Sequence, residues 1–118
     1  MRAVVRSVRF PDLESGRQVI PENARELVAV LVGPSDGSGE ESFCLTAWTP
    51  AALVEVLADQ PILLGRHWLF LRELSPGVVG KFLRRRIEQI EGTTWSEVAQ
   101  KVGRLGLWEF EDYRPRTG

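Results

Sequence analysis

Leu27-Val28-Ala29-Val30-Leu31-Val32 is an unbroken apolar run. Gly33-Pro34-Ser35-Asp36-Gly37-Ser38-Gly39 follows it, then, after Glu40, Glu41-Ser42-Phe43-Cys44-Leu45-Thr46-Ala47-Trp48. A short, β-branched run bounded by Gly-Pro reads as a central strand covered on both faces. The Pro, Ser, Asp and Gly residues after it are turn chemistry. The second run alternates, sending Phe43, Leu45 and Ala47 to one face and Cys44, Thr46 and Trp48 to the other. The two strands and their turn predict a hairpin at the heart of a sheet.

Upstream, residues 3–10 alternate loosely, with Val4, Val8 and Phe10 on one side and Arg6 among them, as in a first or edge strand. Phe10-Pro11 ends it, and the polar segment from Asp12 to Asn23, with Gly16 and Pro21, reads as a surface loop. Downstream, Thr49-Pro50 and Ser75-Pro76 each place a capping hydroxyl before a proline at the first helical position. The first of these helices carries Leu53, Val56 and Leu57 and stops at Asp59-Gln60-Pro61. The second carries Val79, Phe82, Leu83, Ile87 and Ile90 and stops at Glu91-Gly92. Between them Gly65 to Leu71 reads as a strand. A third helix starts at Thr94, whose hydroxyl and the Glu97 carboxylate are spaced for a capping box, and Trp95, Val98, Ala99 and Val102 form its apolar stripe. After Gly103 and Gly106, Trp108-Glu109-Phe110-Glu111-Asp112-Tyr113 alternates aromatic and acid, as a half-buried strand or docked tail does. The order is β-β-β-α-β-α-α-β. Clustered strands and helices of this kind predict an α+β fold: a mostly antiparallel sheet of four or five strands with about three helices packed on one face. The helix between the Glu41–Trp48 and Gly65–Leu71 strands permits a crossover that would make that pair parallel.

With 118 residues the chain is expected to form a single domain over 1–118, held by its own core without metal or disulfide. Its lone cysteine, Cys44, lies in an alternating apolar segment and reads as a small core residue. Arginine at positions 2, 6 and 9 interrupts the N-terminal apolar residues, so no secretory signal is expected there. No run reaches the roughly 20 apolar residues of a membrane span, and the expected location is cytoplasmic. The net charge of −1 conceals an uneven distribution. Nine acids face only Arg17 and Arg25 between residues 11 and 64, whereas eight bases face four acids between 65 and 104. Such polarity speeds association with an oppositely charged partner.

The sequence offers little for a reaction centre. His67 is the only histidine, at the start of an apolar strand, and a metal site lacks ligands around it and Cys44. A small enzyme would pair His67 with an acid such as Glu41 or Glu109; a strand-end imidazole held by a hydrogen bond is the simpler reading. The Gly33–Gly39 stretch lacks the Lys-Ser/Thr ending of a phosphate loop. Arg84-Arg85-Arg86 invites a nucleic-acid reading, but three successive helical residues spread over about 200° of arc and make no flat basic face; Arg86 could approach the apolar stripe. No catalytic residue, cofactor, metal or nucleic-acid partner is expected.

The helix Trp95-Ser96-Glu97-Val98-Ala99 followed by Gly106-Leu107-Trp108-Glu109-Phe110-Glu111-Asp112-Tyr113 resembles the signature of the immunity protein 8 family of bacterial polymorphic toxin systems. Glu41-Ser42-Phe43 leading to Thr49-Pro50, and Leu64-Gly65-Arg66-His67 opening an apolar strand, resemble the same family, so the likeness runs nearly end to end. It implies a protein that neutralises a cognate toxin, a nuclease or another enzyme, by stoichiometric binding without turnover. An acidic strip would steer it onto a basic toxin cleft and block substrate. Trp108, Glu109, Glu111, Asp112 and Tyr113 are then the candidate toxin-binding residues, and Trp95, Phe110, Phe43, Thr94 and Glu97 the structural ones. The tail aromatics could equally close the core while the acids face outward.

Overall fold

A computed structural model describes residues 1–108. The strands are β1 (Ala3–Arg9), β2 (Arg25–Pro34), β3 (Glu41–Trp48), β4 (Trp68–Phe70) and β5 (Leu107–Trp108). The helices among the described residues are α1 (Pro11–Glu14), α2 (Pro50–Asp59), α3 (Pro76–Ile87) and α4 (Trp95–Val102). The strands form one five-stranded sheet in the order β1-β2-β3-β4, with β5 also paired to β3. The fold is α+β, mostly antiparallel, as the pattern of elements predicts.

The central hairpin forms with Val30 opposite Phe43, Val28 opposite Leu45 and Glu26 opposite Ala47. Its turn requires glycine at position 33, where a Cβ would lie 2.3 Å from the Gly39 carbonyl oxygen. Arg6 sits at the register shift between Val5 and Ser7 on β1. Its guanidinium donates to the carbonyls of Pro34 (3.0 Å) and Gly37 (3.2 Å), tying the first strand to the hairpin turn.

Alternation gives the sheet one covered face. Val28, Val30, Val32, Phe43, Leu45 and Ala47 join Val79, Leu83 and Ile87 of α3 and Val98, Ala99 and Val102 of α4 in one buried cluster. β2 is not covered on both faces, however. Leu27 is 39% exposed and Ala29 and Leu31 are half-buried, because β2 belongs to an antiparallel hairpin whose second face is only partly roofed. Cys44 shares that second face and is half-buried instead of lying in the core.

Helix phase explains two further departures. On α3, Leu83 and Ile87 lie about 40° and 80° round from Val79, whereas Phe82 lies about 60° the other way; it points out and is 53% exposed. Arg86, three residues from Leu83, is exposed and does not approach the core. On α2 only Ala52 is buried, and Leu57 is 38% exposed. The polar segment after Phe10 is not all loop: Pro11 opens the single turn of α1, where its missing amide costs nothing.

The caps also differ in detail. Thr94 Oγ1 accepts from the Glu97 amide at 3.2 Å as the spacing predicts, but the Glu97 carboxylate turns to Thr93, accepting from its hydroxyl at 2.8 Å. The Thr93 hydroxyl and amide, with Lys101 one turn on, hold the Glu97 carboxyl below its ordinary value. Thr49 does not cap α2. Its buried hydroxyl instead accepts from the Ala24 amide at 2.8 Å, fastening the end of β3 to the start of β2.

One buried charge was not foreseen. Glu26 stands where alternation demands an apolar residue and is 2% exposed, and Arg17, from the preceding loop, forms an ion pair with it. A buried carboxylate is tolerated only when paired, so the pair fixes the 15–24 loop over this end of the sheet.

Candidate docking surface

The two edges of the sheet are treated differently. Along β1, the Ala3 amide donates to the Ile90 carbonyl at 3.0 Å. The Val5 amide donates to Glu88 Oε2 at 3.0 Å, and the Val5 carbonyl accepts from Arg84 Nη1 at 3.0 Å. Arg84 of α3 and its cap residue Glu88 thus occupy the Val5 groups through which a further strand would pair, which is one way proteins blunt an exposed edge. Arg84 is committed to this bracket, leaving Arg85 and Arg86 as solvated residues.

At the other edge β4 runs parallel to β3, with Trp68 beside Thr46 and Phe70 beside Trp48. The ladder uses the His67 carbonyl, which accepts from the Thr46 amide, and the Leu71 amide, which donates to the Trp48 carbonyl, both at 3.0 Å. Backbone groups of alternate residues point to opposite sides of a strand. Trp68 and Phe70, out of phase with His67 and Leu71, therefore turn their amides and carbonyls away from β3. Among the described residues β4 ends the sheet on this side.

Between residues 54 and 82 several apolar side chains are in water. Val54 and Leu57 of α2, Ile62 and Leu64 of the loop after it, Phe70 of β4, and Val78 and Phe82 of α3 are all exposed, Leu64 at 97% and Val78 at 65%. Phe70, Val78 and Phe82 border a groove of about 390 Å³ between β4 and α3, with Leu69, Leu71 and Val79 at its base. On the second face of the sheet Trp68 packs against Trp48 at 5.0 Å with the rings tilted by 53° and meets Phe70 edge-on at 6.1 Å, while the Arg25 guanidinium lies 4.7 Å over Trp48. That ladder stiffens the edge. Gly65 permits it, since a Cβ there would lie 2.5 Å from the Trp68 ring. His67, at φ 60, makes the left-handed bend that starts β4. Exposed apolar side chains gathered around one groove, as Phe70, Val78 and Phe82 are, mark an interaction site.

Of the candidate residues, Phe43 is buried at the centre of the core and Trp95 packs half-buried against it. Thr94 and Glu97 form the α4 cap. Trp108 pairs along the backbone with Phe43, and its side chain lies outside what the structure describes. Glu109, Phe110, Glu111, Asp112 and Tyr113 lie outside the described residues. His67 and Glu41 are not brought together: His67 is level with Leu45, four residues from Glu41 along β3, on the order of 13 Å at strand rise. Among the described residues no group of three or more His, Cys, Asp or Glu could hold a metal ion, and no helix is long and apolar enough to cross a membrane. The sequence reading missed the surface around β4. Its signal was Val54, Leu57, Ile62, Leu64 and Phe82, apolar residues in excess of what one stripe per helix can bury.

Fold and surface define an α+β protein with one protected sheet edge and one apolar edge. No curated protein and no solved structure matches the chain. Its sequence does match the family profile described as Immunity protein 8, over residues 3–113, and the chain belongs to that family.

Proposed function

We propose that this protein neutralises a cognate toxin domain by direct, stoichiometric binding that occludes the toxin's active site. Family membership over nearly the whole chain carries the reading. The exposed apolar edge supports it, because a protein that acts by docking needs such surface and one that acts alone does not. Residues 1–118 act as one domain in the cytoplasm, and no turnover is involved. The toxin is a nuclease or another enzyme with a basic cleft. The acids Glu109, Glu111 and Asp112 steer onto that cleft and Trp108 and Tyr113 anchor the contact, the aromatic types that concentrate binding energy at interfaces.

Co-expression with the toxin domain encoded in the neighbouring reading frame tests the proposal. Cells carrying both should grow and cells carrying the toxin alone should not. Glu111→Lys and Asp112→Lys should leave thermal stability unchanged and weaken the complex. Unchanged affinity in both would remove the tail from the interface, and failure of the wild-type chain to protect would remove the function.

A further inference from the structure

Resting on that reading, we infer that the open edge of β4 and the groove beside it are a strand-addition site for an extended, acidic and apolar segment of the toxin. The main-chain groups of Trp68 and Phe70 provide the ladder, and Phe70, Val78 and Phe82 provide the pocket for alternate apolar side chains of the incoming strand. Such pairing draws affinity from the backbone and specificity from the side-chain pockets. The opposite edge is closed by Glu88 and Arg84, so strand addition is directed to one side of the sheet.

Charge sets the chemistry of the occupant. Around the groove the chain carries Arg72, Lys81 and Arg85 against the single acid Glu73, Arg84 being committed at the β1 edge. Lys81 and Arg85 lie one turn apart on α3, flanking exposed Val78 and Phe82. Arg72 and Glu73 line the groove itself, so Lys81 and Arg85 supply its excess of positive charge. An apolar floor with a cationic rim takes a segment that alternates apolar and acidic residues, and repels a basic one.

The test uses the full chain and the purified toxin domain encoded beside it. Val78→Glu and Phe82→Glu alter exposed residues and should leave the melting temperature unchanged. Each should weaken the complex at least tenfold by calorimetry, and Lys81→Glu/Arg85→Glu should do the same most strongly at low salt. Amide exchange at Trp68 and Phe70 should slow at least tenfold in the wild-type complex, which groove packing without strand pairing would not produce. Wild-type affinity in all these variants together with unprotected amides would overturn the inference while leaving the immunity function intact. Absence of any complex with the wild-type chain would overturn both. Protection of the same amides in the free protein as its concentration rises would overturn it in favour of a second copy as the occupant.

Discussion

Removing Arg17 should be far more damaging than removing the glutamate it serves. The Glu26 side chain is 1% exposed and that of Arg17 is 51% exposed. Breaking a buried ion pair by deleting one partner costs roughly 3–5 kcal/mol, because the other charge is left uncompensated in the interior. Arg17 reaches the pair from the solvent side, and water entering its place returns part of that, which brings Arg17→Met to about 2–4 kcal/mol. For a domain of this size that lowers the melting temperature by on the order of 10 °C. Glu26→Leu leaves only a half-exposed guanidinium that water can solvate, beside Val28 and Ala47, and should cost about 1 kcal/mol or less. The double variant Arg17→Met/Glu26→Leu should then lie within about 1 kcal/mol of wild type, giving a coupling energy of roughly 2–4 kcal/mol. Urea denaturation of the four proteins closes the cycle. Equal costs for the two single variants, or an Arg17→Met variant within about 0.5 kcal/mol of wild type, would refute the reasoning, since surface substitutions alone produce changes that small.

Phe43→Ala, at a position 1% exposed in the middle of the core, should cost about 3–5 kcal/mol in the same assay. Glu88→Ala leaves the Val5 amide without its acceptor and should cost roughly 1–3 kcal/mol. It should also speed exchange of that amide while leaving the hairpin amides of β2 and β3 protected. Glu97 is held below its ordinary value first by the Thr93 hydroxyl, then by the Thr93 amide and Lys101. A depressed carboxyl stabilises the native state above its unfolded value and loses that contribution as pH falls through the folded one. Stability should therefore decline as the pH drops below about 4.5. Glu97→Gln should flatten that part of the profile, and an unchanged profile would show that the α4 cap does not contribute to it.

Much of the architecture was legible because it rests on local chemistry. The hairpin follows from the apolar run, the Gly-Pro turn and the alternation of β3. The α4 start follows from Thr94 and Glu97, and the crossover follows from a helix lying between two strands. Phase and tertiary demands were not legible. Nothing local says that Phe82 falls outside the α3 stripe while Leu83 falls inside, since either belongs to a helical repeat and the sheet decides which arc is covered. Glu26 occupies an inward position only because Arg17 reaches it from a loop nine residues earlier. Thr49 has the sequence of a helix cap, yet its hydroxyl is taken by Ala24 across the sheet. For the candidate site, the family likeness pointed to the tail. The apolar groove beside β4 emerges only when β4 and the start of α3 are brought together, because its lining runs from Leu69 to Phe82.

Inhibition by binding is decided by titrating the purified chain into the neighbouring toxin domain while following toxin activity. Toxin activity should fall linearly and vanish at one equivalent. Full toxin activity in the presence of a several-fold excess would contradict it.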